Sequence, residues 1–368
     1  MSKRNKKITV ILDMDEMLNH LNEEEEEEEE KKPKRRKKTP VVKTQPKPRR
    51  GRVRKLGDFI GKLTSIADFI TLIDENNQYK NIDVLRLSNI REELVELNNL
   101  IGLDDIKKTI IEQLVFYLQN LHEDSDMYLN TVIYGPPGTG KTTVAKLLGR
   151  IFSKLKVIVN EFEEDIFECA RRDDLIGEYL GSTSIKTQEY LEMCIGGVVF
   201  IDEVYSLGNK DGGDSFAKEA IDTINLFLSE HKEECMMIVA GYKEEIEQCF
   251  FKYNEGLRRR FMWYHTIEPY TPEQLKDIFV TKIKQSKWFI SEEVPDAMLK
   301  TIQNHKEAFL DNAGSIENFI TLLKIKHSNR VLLLPSDKKK IITEEDIKMT
   351  VKDFEKKKKP DTFMSMYM

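Results

Sequence analysis

The stretch "GPPGTGKT", Gly135 to Thr142, constrains the architecture of this chain more than any other segment. It fits G-x-x-x-x-G-K-[ST] and lies between a short apolar run, "TVIY", and a helical pattern, "TTVAKLLGRIF". The chemistry needs that order. Gly135, Gly138 and Gly140 let the backbone wrap closely round a triphosphate, while amide hydrogens and a helix N-terminus face the anion. Pro136, Pro137, Thr139 and Thr143 complete the expected cradle. Lys141 should reach the β- and γ-phosphates, and the Thr142 hydroxyl should ligate Mg²⁺.

A second motif, "GGVVFIDE", lies about sixty residues downstream. Its apolar strand delivers Asp202 and Glu203 to the C-terminal edge, where open α/β sheets bind ligands. Asp202 can hold the Mg²⁺ shell, and Glu203 can orient and deprotonate a water attacking the γ-phosphate. The pair therefore predicts ATP hydrolysis as well as binding.

The rest of the chain fits around these motifs. From Leu100 the runs "TVIY", "VIVNEF", "GGVVFIDE", "MMIVAG" and "WYHTIEP" alternate with helical patterns, as expected for a parallel sheet with crossover helices. After "PYTPEQL" the strands are expected to stop and amphipathic helices to follow. The predicted class is α/β: a P-loop core with a five-stranded parallel sheet over 97–268, then a small helical lid over 269–358 and a tail over 359–368. Residues 56–96 read as a helical preface, with apolar steps of three and four in "LGDFIGKLTSIADFITLI". A chain of 368 residues with 40% hydrophobic content can bury more than one core.

Charge falls in blocks at the start. The acidic run Glu23 to Glu30 is followed at once by "KKPKRRKKTPVVKTQPKPRRGRVRK", so residues 1–55 read as a disordered arm. Its basic half, 31–55, fits an import signal, a tether for nucleic acid phosphates, or a solvated tail balanced by the acidic run. No apolar run approaches a membrane span, and the N-terminus lacks a cleavage site, so the expected location is cytoplasmic or nuclear. Cys169, Cys194, Cys235 and Cys249 form no C-x-x-C pair and read as reduced, mostly buried thiols. The six histidines show no metal-ligand spacing either.

With both motifs placed, the chain resembles the AAA+ ATPases, and among them the CbxX/CfqX group, which includes red-type Rubisco activases and a type VII secretion ATPase. The resemblance runs from about Leu97 to Leu334. It rests on "LIGLDDIKKTI", "DLIGEYLGSTSIKTQEYLEMCIGGVVFIDEVYSL", "SFAKEAIDTI", "SEHKEECMMIVAGY" and "NEGLRRRF". It implies a hexameric ring, an adenine-side segment at Ile101 and Gly102, and a pore loop "IGEYLG" in which Tyr179 grips a polypeptide client. A rigid aromatic does this without needing a particular partner sequence. Tyr242 stands at the γ-phosphate sensor position, without the usual Asn or Thr.

Three consecutive arginines in a chain of net charge −6 need an anionic partner. By resemblance they end a helix before the fifth strand and face the next subunit's ATP. Arg260 matches the finger arginine and Arg258 a second contact. The group's pattern is broken at Glu255, where it has proline, at Arg259, where it has a small residue, at Gly314, where its lid arginine stands, and at Glu317, where it has a basic residue. Arg330 is the expected substitute for the lid arginine. The implied activity is ATP-driven remodelling of a protein client. The alternatives are a nucleic-acid-associated ATPase tethered by its basic arm and a low-turnover scaffold.

Overall fold

The computed structural model describes residues 57–358 apart from 120, 122–126, 160–165, 180, 211–212 and 336–338. The expectations for the charged arm and for the tail therefore fall outside the described residues.

Among the described residues four helices precede the sheet: α1 (Ile66–Asp74), α2 (Val84–Ser88), α3 (Arg91–Asn99) and α4 (Asp104–Leu118). The first starts on a capping box, in which the Ser65 side chain accepts from the Asp68 amide and the Asp68 carboxylate accepts from Ser65. Their apolar stripes do not form a separate core. Phe69, Leu87, Leu94 and Leu97 join the same buried cluster as Leu114, Ile133 and Phe152. Glu93 anchors the junction, accepting from Lys154 Nζ at 2.8 Å.

The sheet comprises β1 (Thr131–Tyr134), β2 (Phe167–Ala170), β3 (Val198–Ile201), β4 (Met236–Gly241) and β5 (Trp263–Thr266), in the order β2-β3-β4-β1-β5. Every pairing is parallel, as expected. Strand periodicity assigns alternate residues to two cores. Ile133, Val198, Phe200 and Ile238 face the layer of α4 and α5 (Lys141–Lys154). Val132, Val199, Ile201 and Val239 face the opposite layer. That layer holds α7 (Ser182–Glu192), α8 (Ser215–Glu230) and α9 (Lys243–Cys249), with the four-residue α6 (Arg172–Leu175) before them.

Two expectations are corrected. The second strand is "FECA", not "VIVNEF": Val157, Ile158 and Val159 are not in a strand, and Val157 and Ile158 are buried in the turn after α5. The true strand has a half-exposed, partly polar pattern because it sits at the sheet edge, which hides it from an apolar search. Strands also do not stop after "PYTPEQL". The lid holds a short parallel pair, β6 (Phe289–Ile290) with β7 (Ile341–Ile342), too brief to show alternation.

The lid is otherwise helical: α10 (Pro272–Gln285), α11 (Val294–Asn304), α12 (Asn312–Arg330) and α13 (Glu344–Lys358) surround Phe279, Phe309, Phe319 and Phe354. A capping box of Thr271 and Gln274, with Pro272 in the first turn, sets where α10 begins. No helix among the described residues is long and apolar enough to cross a membrane.

His265 on β5 is buried, and its Nε2 has no partner among the described residues. Burial pulls its pKa down from 6.5 to about 4. As pH falls, the unfolded chain takes up this proton before the folded one, so stability is full above about pH 6.5 and falls toward pH 4. The expected loss from this residue between pH 7 and pH 4 is about 3 kcal/mol. Urea unfolding of the wild type and His265→Leu at both pH values should show a smaller pH-dependent loss in the variant. Equal losses would show that His265 is not held neutral.

Candidate functional site

The C-terminal ends of β1 and β3 meet under the lid, and a cavity of about 570 Å³ opens there. β1 runs into the loop Gly135 to Gly140, and α5 begins at Lys141. Gly138 (φ +71°) and Gly140 (φ +91°) both take the left-handed backbone that permits the turn. Gly138 is also sterically fixed: a Cβ there would lie 2.0 Å from the Asp311 carbonyl oxygen of the lid. The Thr139 hydroxyl donates to Pro136 O at 2.8 Å and closes the loop on itself.

Lys141 Nζ donates to Gly135 O and Pro136 O, both at 3.1 Å, and stands 5.9 Å from the centre of the Tyr242 ring. Burial lowers its pKa, while Asp202 and Glu203 act against that shift. The Thr142 hydroxyl donates to Asp202 Oδ2 at 2.8 Å. These two hard oxygen donors suit Mg²⁺. Glu203 follows with a left-handed backbone (φ 49°, ψ 47°), its amide donating to Asp202 Oδ1 at 3.0 Å, and the chain turns into a 3₁₀ segment, Val204–Leu207. Tyr205 on that segment stacks obliquely on Tyr242 with ring centroids 6.0 Å apart. Burial and the neighbouring Glu203 charge push its phenol up to about 12.

Pro137, Gly138, Gly140, Lys141, Thr142 and Thr143 line this cavity together with Asp202 and Glu203. Ile101 lines it as well, next to Leu100, Leu103 and Ile278, which form an apolar end. Gly102 does not line it. It forms the bend before α4, with φ +69°. Gly135, Pro136 and Thr139 lie behind the lining as the frame of the loop.

Sequence reasoning assigned no role to the residues that join the lid to the loop. Asn312 Nδ2 donates to Pro137 O at 3.1 Å, its Oδ1 accepts from the Tyr270 amide at 3.0 Å, and the Ala313 amide donates to Gly138 O at 3.0 Å. The Tyr270 hydroxyl adds a bond to Thr139 O at 3.0 Å. The only signal was the asparagine of "DNAGSIENF", a residue type that tolerates the positive φ (53°) found there. Arg330 is not the lid's substitute cation: its guanidinium makes a bidentate pair with buried Asp346, both bonds at 2.8 Å, away from the cavity lining.

Tyr179 lies elsewhere, 73% exposed on the loop before α7. Its backbone is braced, since its amide donates to Ser182 Oγ at 3.2 Å and its carbonyl accepts from that hydroxyl at 2.7 Å. The three arginines occupy a 3₁₀ turn of their own, Leu257–Arg260, and do not end α9 as expected. They are also not without partners in their own chain. Arg258 pairs with Glu247, and its guanidinium lies over Phe251. Arg260 Nε donates to Ser229 Oγ at 2.9 Å, and its guanidinium lies over Tyr128 at 5.6 Å. Arg259 is exposed. None of the three lines the cavity.

A phosphate-binding loop on a parallel sheet, an acidic pair on a nearby strand and a helical lid joined to the loop define a P-loop nucleotide-binding protein. Residues 131–262 match the family described as "ATPase family associated with various cellular activities (AAA)", and residues 271–362 match the AAA lid domain. The chain belongs to the AAA ATPases, in the group of the CfxQ and CbbX proteins.

It is 40% identical to a cfxQ-like protein of Acanthamoeba polyphaga mimivirus over 69% of this chain, and spans 62% of that relative, less than two thirds of its length. It is 31% identical to a CfxQ homolog of Pyropia yezoensis, over 75% of this chain and 90% of that one. Identity to the chloroplastic ribulose bisphosphate carboxylase/oxygenase activase of Cyanidioschyzon merolae is 32%, over 68% and 86%. The crystal structure of the FIGL-1 AAA domain in complex with ADP superposes with a TM-score of 0.50 at 16% identity, covering 84% of this chain and 96% of that one, a likeness of fold.

Asn312→Gly keeps the backbone freedom but removes the side-chain bonds to Pro137 and Tyr270. The expected cost is about 0.5–1.5 kcal/mol, because the junction is only part-buried and water can reach the freed Pro137 carbonyl. Nucleotide affinity should fall with it, since the lid keeps the Ala313 and Tyr270 bonds to the loop but loses the Asn312 one. Urea unfolding and titration with a fluorescent ATP analogue check both, and unchanged values in the two would remove the clasp from the site.

Proposed function

We propose that this protein binds and hydrolyses Mg·ATP and uses the cycle to remodel a polypeptide client in a hexameric ring. The observation that carries the reading is the meeting of Lys141, Thr142, Asp202 and Glu203 on one cavity under the lid. Lys141 exchanges its two loop carbonyls for β- and γ-phosphate oxygens. Thr142 and Asp202 would hold Mg²⁺, which would supply neutralising charge to the polyphosphate. Glu203 takes a proton from the attacking water, whose oxygen bonds to the γ-phosphorus as the bond to the β-phosphate oxygen breaks. The apolar end formed by Leu100, Ile101, Leu103 and Ile278 suits adenine. Tyr242, beside Lys141, is the proposed γ-phosphate sensor.

The exposure of Tyr179 on a braced loop supports a grip on the client, because an aromatic held at its backbone loses little entropy on contact. With ATP present, Glu203→Gln should bind nucleotide without turnover and retain the client in pull-downs. Adding Tyr179→Ala should release the client and leave ATP binding unchanged. Turnover near the wild-type rate in Glu203→Gln would move the base elsewhere, and client retention by the double variant would remove Tyr179 from the grip.

Arg260, with Arg258 beside it, is the proposed finger on the neighbouring subunit's γ-phosphate, worth roughly 10³–10⁵ in rate. Reaching a neighbour would require Arg260 to leave Ser229 and Tyr128, which are neutral and therefore weak competitors for a phosphate. Arg260→Ala should bind ATP but lose nearly all hydrolysis. Mixing it with Lys141→Ala, itself inactive, should restore part of the activity, because some interfaces then pair an intact loop with an intact finger. Phosphate release across the mixing series is the measurement, with subunit exchange verified first. No recovery at any ratio would refute action across subunits.

A further inference from the structure

The lid wall of the cavity carries two charged side chains that the chemistry above does not use. Lys282 on α10 and Glu317 on α12 both line the cavity, and Lys282 Nζ donates to Glu317 Oε1 at 2.5 Å. Glu317 lies one turn beyond Gly314 on α12, and the Gly314 amide nitrogen would be 3.0 Å from a Cβ placed on Gly138 of the phosphate loop. The ion pair therefore stands about one helical turn, roughly 5 Å, along α12 from the loop.

Among the described residues lining the cavity, the cations are Lys141, from the loop, and Lys282, from the lid. The carboxylates are Asp202, Glu203 and Glu317, and the first two already have roles beside the loop. A carboxylate one turn from the phosphate loop repels a polyanion, so Glu317 is unfavourable there unless a cation balances it. Both members of the pair are open to water, with side-chain exposures of 36% for Lys282 and 60% for Glu317. Such a pair is weak and readily exchanged. A triphosphate offers the same ammonium several acceptor oxygens and more negative charge than one carboxylate does.

We infer that Lys282 is a nucleotide-binding side chain of the lid, which leaves Glu317 for the polyphosphate of a nucleoside triphosphate, and that Glu317 sets the affinity by competing for it. The inference rests on the reading of this cavity as the ATP site. In the nucleotide-free chain Glu317 holds the ammonium in place. On binding, the ammonium moves to phosphate oxygen and ties α10 to the ligand, while the clasp at Asn312 ties α12 to the loop.

The test is titration of the full chain with fluorescent ATP and ADP analogues in the presence of Mg²⁺. Lys282→Ala should weaken the ATP analogue about tenfold and the ADP analogue less, with Lys282→Arg restoring most of the loss. Glu317→Gln should tighten the ATP analogue a few-fold, because the competitor is gone while Lys282 remains. A purely structural ion pair predicts otherwise: both variants would weaken binding together and melt at the same lowered temperature. Unchanged affinity in Lys282→Ala, or unchanged or weakened affinity in Glu317→Gln, overturns the exchange while leaving the ATP site standing. Failure of the wild type to bind either analogue, with Lys141→Ala indistinguishable from it, overturns the ATP site and this inference with it.

Discussion

Backbone packed on backbone governs this structure, at the point where Gly138 of the phosphate loop lies under the Asp311 carbonyl of the lid. No side chain fits between them, so the lid closes on the loop itself. The Ala313 amide and the Asn312 amide group then bond to loop carbonyls, and Tyr270 bonds to Thr139. Short contacts of this kind have little room to adjust gradually. A nucleotide that alters the loop must therefore act on the first turn of α12, and any change in lid angle is felt at the carbonyls of Pro137 and Gly138.

Electrostatics decides which ligand that geometry favours. Three carboxylates and two lysines face the cavity, so a polyanion meets net repulsion from the side chains alone. A divalent cation held by Thr142 and Asp202, as proposed, would reverse that sign, and the metal complex of a nucleotide would then fit better than the free nucleotide. Lys141 is held ready by backbone carbonyls, which are neutral acceptors and weaker partners than phosphate. Burial lowers its pKa, so a phosphate bound as proposed would gain a strong partner and relieve an unfavourable charge at once.

The parts legible in the sequence were those whose chemistry depends on a short, ordered set of residues. "GPPGTGKT" and "FIDE" each combine a strand with functional groups at its end, and both ends meet at one cavity. The buried strands β1, β3 and β4 were visible as continuous apolar runs, because both faces of the sheet are covered. What was hidden depends on contacts between distant segments. β2 is an edge strand with a polar middle, while the apolar "VIV" beside it packs into a turn. Asn312 donates to the Pro137 carbonyl, 175 positions away in the chain, and the Ala313 amide to the equally distant Gly138 carbonyl, which no local pattern encodes. Arg330 looked free in one dimension, but Asp346 lies on the next helix and holds it.

One side chain connects the acidic pair to the exposed loop. Arg172 opens α6, the short helix leading to Tyr179, and its guanidinium donates to the carbonyls of Ser206 and Leu207 in the turn directly after Glu203. Its other arm pairs with Asp214 at 2.8 Å, and Asp214 caps α8 by accepting from the Phe216 and Ala217 amides. The turn bearing Tyr205, the start of α6 and the start of α8 therefore share one guanidinium. Both carbonyls would lose a charge-assisted donor if the turn moved alone, at a cost of about 1.5–3 kcal/mol each. Moving the three segments together keeps those bonds. A shift of the turn beside Glu203 is thus cheaper when α6 moves with it, and α6 is covalently joined, through three residues, to the backbone that carries Tyr179.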